Sequence, residues 1–144
     1  MCTFERRHYF TNSETVDLVR VQLLLTARQF DVEIVAYCFM EDHLHALVAG
    51  TAEHADSKGF TGLFRRRSGY GYRRRHGHRL WQEGYFDRVL REREATFDVV
   101  SYIVANPVRA GLCADATSYP YSGSSRYSLE EIVTSVQWRP DSLG

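Results

Sequence analysis

Asp42-His43-Leu44-His45-Ala46-Leu47-Val48 is the stretch on which the fold turns. It follows an apolar run over 34–40 whose β-branched and aromatic residues suit a strand better than a helix. Extended backbone sends successive side chains to opposite faces, so His43 and His45 share one face and Leu44 and Ala46 the other. Two neutral imidazoles one step apart on a rigid strand make half of a metal site. Taken alone, the pattern equally suits one exposed histidine and one satisfied core histidine, because two ligands do not hold a catalytic metal.

On the N-terminal side, Thr11 and Glu14 have the spacing of a capping box. Val16, Val19, Leu23, Leu24, Ala27 and Phe30 then mark one face of a helix running to about residue 30. Strands over 33–40 and 43–49 follow, joined at Glu41-Asp42 tightly enough for antiparallel pairing. Before them, 4–10 reads as a short strand or its end. After them, Gly59, Gly62, Gly69 and Gly71 predict only a short helix running into an arginine-rich loop over 65–79. Strand pieces are expected at 80–82 and 85–90. The next helix runs from residue 92 or 93 to 105, burying Phe97, Val100 and Val104, and Pro107 stops it. A loop over 114–127 leads to a second capping box, Ser128 with Glu131, opening a terminal helix to about 136.

At 144 residues and 44% hydrophobic, the chain reads as one domain, 1–144, with room for a core. No apolar run approaches the roughly 18 residues a membrane span needs, and the charged opening is not a signal peptide. Cys2, Cys38 and Cys113 are far apart and odd in number, which excludes a disulfide framework and a zinc knuckle and predicts a cytoplasmic protein. A net charge of zero argues against a protein wrapped in nucleic acid. The distribution is less even. Arg65, Arg66, Arg67, Arg73, Arg74, Arg75 and Arg79 fall in one window with no acid. Arginine suits bidentate phosphate contacts, and the interleaved Tyr70 and Tyr72 are candidate platforms for unpaired bases. The run reads as a nucleic-acid contact, with a solvated loop as the alternative.

The other half of a site lies in Ser101-Tyr102-Ile103-Val104-Ala105-Asn106-Pro107. On a helix Tyr102 and Asn106 stand four apart and share a face, away from the line of Phe97, Val100 and Val104. A half-buried tyrosine and an asparagine that merely ends the helix would show the same spacing.

Three blocks together are more specific. His43-Leu44-His45, set between Tyr37-Cys38-Phe39-Met40 and Ala46-Leu47-Val48, resembles the His-hydrophobic-His motif of HUH-type single-strand transposases. Trp81-Gln82-Glu83-Gly84-Tyr85-Phe86-Asp87-Arg88-Val89-Leu90 and Tyr102-Ile103-Val104-Ala105-Asn106-Pro107-Val108-Arg109-Ala110-Gly111-Leu112 resemble the REP-associated tyrosine transposase branch. The similarity covers about 4–127. It implies an α+β fold of HUH-nuclease type, a ferredoxin-like antiparallel sheet with helices packed on it. It also implies His43, His45 and Asn106 as ligands of a divalent Mg2+ or Mn2+ ion and Tyr102 as catalytic nucleophile. The implied activity is metal-dependent nicking and strand transfer of single-stranded DNA through a 5′-phosphotyrosine, at hairpin-containing DNA, by a monomer or homodimer.

The chain departs from the family pattern in three places. Glu41-Asp42 stands where Pro-Asn is usual, and Asp42 can hold His43 by a hydrogen bond. The first strand is reduced to Met1-Cys2-Thr3, which predicts a truncated sheet edge, and the total charge is neutral. The alternative function is a non-catalytic or domesticated single-stranded DNA- or RNA-binding module that keeps the fold.

Overall fold

The computed structural model of the protein describes residues 1–90 and 93–135. The apolar run forms β1 (Val32–Met40) and the histidine stretch forms β2 (His43–Gly50). They pair antiparallel, with Met40 opposite His43 and Cys38 opposite His45. Ile34, Tyr37 and Phe39 of β1 enter one apolar cluster, and Ala36, Cys38 and Met40 enter another on the opposite face. A strand buried on both faces reads as continuous apolar sequence, which is why this run lacks alternation.

A two-residue strand, β3 (Ser122–Gly123), lies in the stretch expected to be loop and pairs with the far edge of β1. On the near side the ladder continues past β2. Cys2 bridges antiparallel to His43, and Thr3 bridges antiparallel to Trp81. Leu44 N–H donates to Met1 C=O at 2.8 Å and Phe4 N–H to Leu80 C=O at 2.8 Å. The order Trp81, 1–3, β2, β1 is that of a ferredoxin-like sheet built from two split strand–helix–strand units. The segment at 1–3 is therefore an interior member of the ladder, not its edge. Residues 4–6, expected as strand, form a 3-10 turn, Phe4–Arg6. Residues 85–90, also expected as strand, are irregular.

Helix α1 (Ser13–Gln29) buries Val16, Val19, Leu23 and Ala27 against the sheet. Its cap is Asn12, one residue later than expected, whose Oδ1 accepts from Thr15 N–H at 2.9 Å. The largest departure from expectation is α2 (Ser57–His76), twenty residues of unbroken helix where a short helix and a loop were expected. Each helical glycine costs about 1 kcal/mol relative to alanine. Burial of Phe60, Phe64, Ser68 and Tyr72 along one face offsets this, each large apolar side chain contributing about 1.5–3 kcal/mol. Gly59 is required by packing: a Cβ there would sit 2.8 Å from the Phe30 ring. The Asp56 side chain caps the start through Gly59 N–H at 2.9 Å, and Gly77, at φ 79°, closes the end. Trp81 Nε1–H donates to the buried Ser68 Oγ at 2.9 Å and ties α2 to the ladder.

Helix α3 (Arg93–Arg109) packs Val100, Ile103 and Val104 on the other face of the sheet, against Ala36, Cys38 and Met40. Phe97, expected in that core, is 42% exposed. Pro107 does not stop the helix but sits inside its last turn, fully buried. The terminus closes beyond it: Leu112 N–H donates to Pro107 C=O at 2.9 Å and Gly111 N–H to Val108 C=O at 3.0 Å. That is a Schellman ending, with Gly111 in the left-handed region at φ 75°. The proline forfeits one intrahelical bond, and buried packing plus a complete cap outweigh the loss. The second capping box forms at α4 (Leu129–Ser135), with Ser128 N–H donating to Glu131 Oε2 at 2.7 Å and Glu131 N–H to Ser128 Oγ at 3.1 Å. The expected helix limits at residues 92 and 136 lie outside the described residues. Among the described residues, no helix is long and apolar enough to cross a membrane.

Candidate active site

Leu44 belongs to the core under α1 and α2, so the period of β2 turns His43 and His45 toward α3. Their Nε2 atoms stand 3.1 Å apart. His43 Nδ1–H donates to Asp42 Oδ1 at 2.6 Å, and Asp42 Oδ2 accepts from Arg6 Nε–H at 2.9 Å. The carboxylate thus sets the His43 tautomer and aims the Nε2 lone pair at its neighbour. Burial alone would raise the Asp42 carboxyl, but the hydrogen bond from His43 and the charge of Arg6 outweigh it and hold it below its usual value. Burial, reinforced by the nearby His43, pushes the His45 imidazole down to about 4, so it is neutral near pH 7.

Tyr102 faces this pair from α3. Its ring centroid lies 5.8 Å from that of His45 with the planes at 89°, and the residue is 44% exposed. Asn106 stands one helical turn further on, half-buried. The fold therefore brings His43, His45 and Tyr102 to one place from a strand and a helix far apart in sequence. Arg109 joins them, its guanidinium 4.1 Å from the Tyr102 ring centroid. Sequence reasoning missed it, although seven residues is two helical turns, because a helix ending before Pro107 would have left Arg109 off this face.

A model of the IS200-like transposases matches residues 1–106, a span that includes both histidines, Tyr102 and Asn106. The chain belongs to the IS200-like transposase family. A solved REP-associated tyrosine transposase bound to a REP hairpin is similar over 84% of this chain and 71% of that one, with a TM-score of 0.70 and 19% identity. That likeness is one of fold. No curated protein matches the chain.

The residues of this IS200-like transposase fit a divalent cation. Two nitrogen ligands about 2.0–2.1 Å from one ion and roughly 90–109° apart lie about 2.9–3.3 Å from each other. The observed separation of 3.1 Å is within that range. Among the described residues no cluster of three or more His, Cys, Asp or Glu side chains forms, so a third ligand drawn from them would be of another type.

The arginine run is not a loop, and α2 distributes it around its circumference. Arg66, Tyr70 and Arg73 lie on one side and line a shallow groove with Arg65 and Arg79. Arg74 leans on Tyr70, 5.9 Å from the ring centroid. Arg67 instead donates to Gln29 Oε1 at 3.0 Å, and Arg75 pairs with Glu14 at 2.6 Å. Tyr70 is 64% exposed, whereas Tyr72 is buried among Tyr9, His76 and His78. Tyr72 thus cannot serve as a base platform, a correction to the sequence reading with burial as its cause.

Proposed function

We propose that this IS200-like transposase nicks and rejoins single-stranded DNA beside hairpins, with Tyr102 as nucleophile and His43, His45 and Asn106 as ligands of Mg2+ or Mn2+. The observation that carries the reading is the Tyr102 ring set edge-on to His45, whose Nε2 is 3.1 Å from that of His43. A divalent cation there would act as a Lewis acid on the scissile phosphate. The choice of magnesium or manganese rests on the family resemblance, since two imidazoles would also suit zinc.

The chain's own groups do the rest. A tyrosine hydroxyl titrates near pH 10 and is a weak nucleophile without help, so orientation matters. His45 and Arg109 hold the Tyr102 ring from two elements. Tyr102 Oη attacks phosphorus and gives up its proton as the P–O3′ bond breaks, leaving a 5′-phosphotyrosine and a 3′-hydroxyl. Attack by a different 3′-hydroxyl breaks the phosphotyrosine bond, restores the phenol and rejoins DNA with no outside energy source. Hairpin DNA is favoured as substrate by the arginine groove on α2 and by the hairpin held by the fold relative.

The test is incubation with Mn2+ and hairpins carrying the chain's own flanking DNA. Wild type should form a denaturant-resistant protein–DNA adduct, and Tyr102→Phe should form none while still folding and binding DNA. An adduct with Tyr102→Phe would put the chemistry on another tyrosine. Absence of any adduct with wild type would favour a binding module.

A further inference from the structure

The segment 3–10 wraps the turn between β1 and β2. Thr3 N–H donates to Asp42 C=O at 2.9 Å and Phe10 N–H to Glu41 C=O at 3.0 Å, so both carbonyls of the turn are held from this segment. The buried Thr3 adds a second bond to Asp42 C=O through Oγ1 at 3.1 Å. Between these fixed points Glu5 and Arg6 stand at φ 55° and φ 57°, in the left-handed region that residues other than glycine rarely adopt. Such residues persist where their surroundings over-determine them, and they gather at functional sites. This conformation carries the Arg6 guanidinium across the turn. Its Nε–H donates to Asp42 Oδ2 at 2.9 Å and its Nη1–H to Cys2 Sγ at 2.8 Å. The Arg6 side chain is 55% exposed, and an ion pair so open to water adds little to stability. Folding alone therefore gives no reason for two strained residues in a row.

We propose that Arg6 is a positioning residue for the metal site: it fixes the Asp42 carboxylate, which holds the His43 ring with Nε2 toward His45. The last torsion of a carboxylate is soft, so one hydrogen bond does not set its plane. Here the two oxygens are divided, Oδ1 to His43 Nδ1–H at 2.6 Å and Oδ2 to Arg6. With both ends taken the carboxylate cannot swing, and the imidazole keeps one tautomer and one direction. The chain also carries Asp42 where the family pattern has asparagine. A carboxylate with only 20% of its side chain exposed calls for a cation beside it, whereas an amide does not. Arg6 and Asp42 are thus one device, and it rests on the reading of His43 as a metal ligand.

The experiment is titration calorimetry of the full chain with Mn2+ alone, paired with thermal melts. Arg6→Ala should weaken Mn2+ binding about tenfold, the low end of what partners behind a ligand supply. Arg6→Lys, which keeps the cation, should recover most of that loss. Arg6→Gly relieves the left-handed backbone, so its melting temperature should hold while its Mn2+ affinity falls as in Arg6→Ala. A merely structural arginine would lose stability and affinity together. In an Asp42→Asn background Arg6→Ala should cost no further affinity, because the two residues act in series. Losses that simply add would overturn the proposal, as would wild-type Mn2+ affinity in both Arg6→Ala and Arg6→Gly. If wild type itself binds no Mn2+, the reading of His43 and His45 as ligands falls and this role with it.

Discussion

The histidine pair and the arginine run are both dense polar stretches, and the fold treats them in opposite ways. On β2 the two-residue period puts both imidazoles on one face, 3.1 Å apart. On α2 the 3.6-residue period spreads six neighbouring arginines over three environments. Arg66 and Arg73 stay in the open groove, Arg65 donates to the Gln82 and Gly84 carbonyls, and Arg67 and Arg75 turn to partners on α1. Sequence density is therefore a good guide to a site on a strand and a poor one on a helix. On a helix the number of cations that can face one ligand is set by angle, not by count.

The largest effect should come from the strand side. His43→Ala or His45→Ala should lower DNA cleavage by about a thousandfold or more, the scale of several kcal/mol that a catalytic metal supplies. Both side chains are half-buried at the surface of the fold, so circular dichroism and thermal melts should change little. A variant that still cleaves at the wild-type rate would break the equivalence of the two histidines.

Next in size is the carboxylate behind them. Asp42→Asn keeps the shape but loses the charged acceptor for His43 Nδ1–H, which it holds at 2.6 Å. Metal affinity, followed by titration calorimetry with Mn2+, should fall about 10- to 100-fold. Unchanged affinity would mean that His43 is oriented by packing alone, and the strand would need no support from its turn.

The smallest effect belongs to the helix and tests its angular sorting. Arg66→Ala with Arg73→Ala should flatten the log–log salt dependence of single-strand binding by about 1.4, at roughly 0.7 for each phosphate that is no longer neutralised. Arg67→Ala with Arg75→Ala should leave the slope as it was, because those side chains face Gln29 and Glu14. Equal slopes for the two double variants would show that α2 acts as a uniform cationic rod.

Much of this molecule is legible residue by residue. The apolar run over 34–40 and the alternation after Asp42 are enough for a hairpin with both histidines on one side, since strand geometry depends only on the local backbone. The Ser128–Glu131 box is likewise local, and both its hydrogen bonds form. The four-residue spacing of Tyr102 and Asn106 needs only a helix.

Tertiary packing settled the outcomes in which distant burial outweighed local preference. Four glycines argued against α2, yet the faces of Phe60, Phe64 and Tyr72 found cover under α1 and the sheet. Pro107 argued for an early helix end, yet its ring is buried and Gly111 closes the turn beyond it, which carries Arg109 onto Tyr102. Tyr70 and Tyr72 are indistinguishable in sequence, and only packing made one exposed and the other core. Local preference costs about 1 kcal/mol or less to override at any residue other than proline. Burial of one large side chain returns more than that, so wherever the two conflict the outcome depends on neighbours that no short stretch contains.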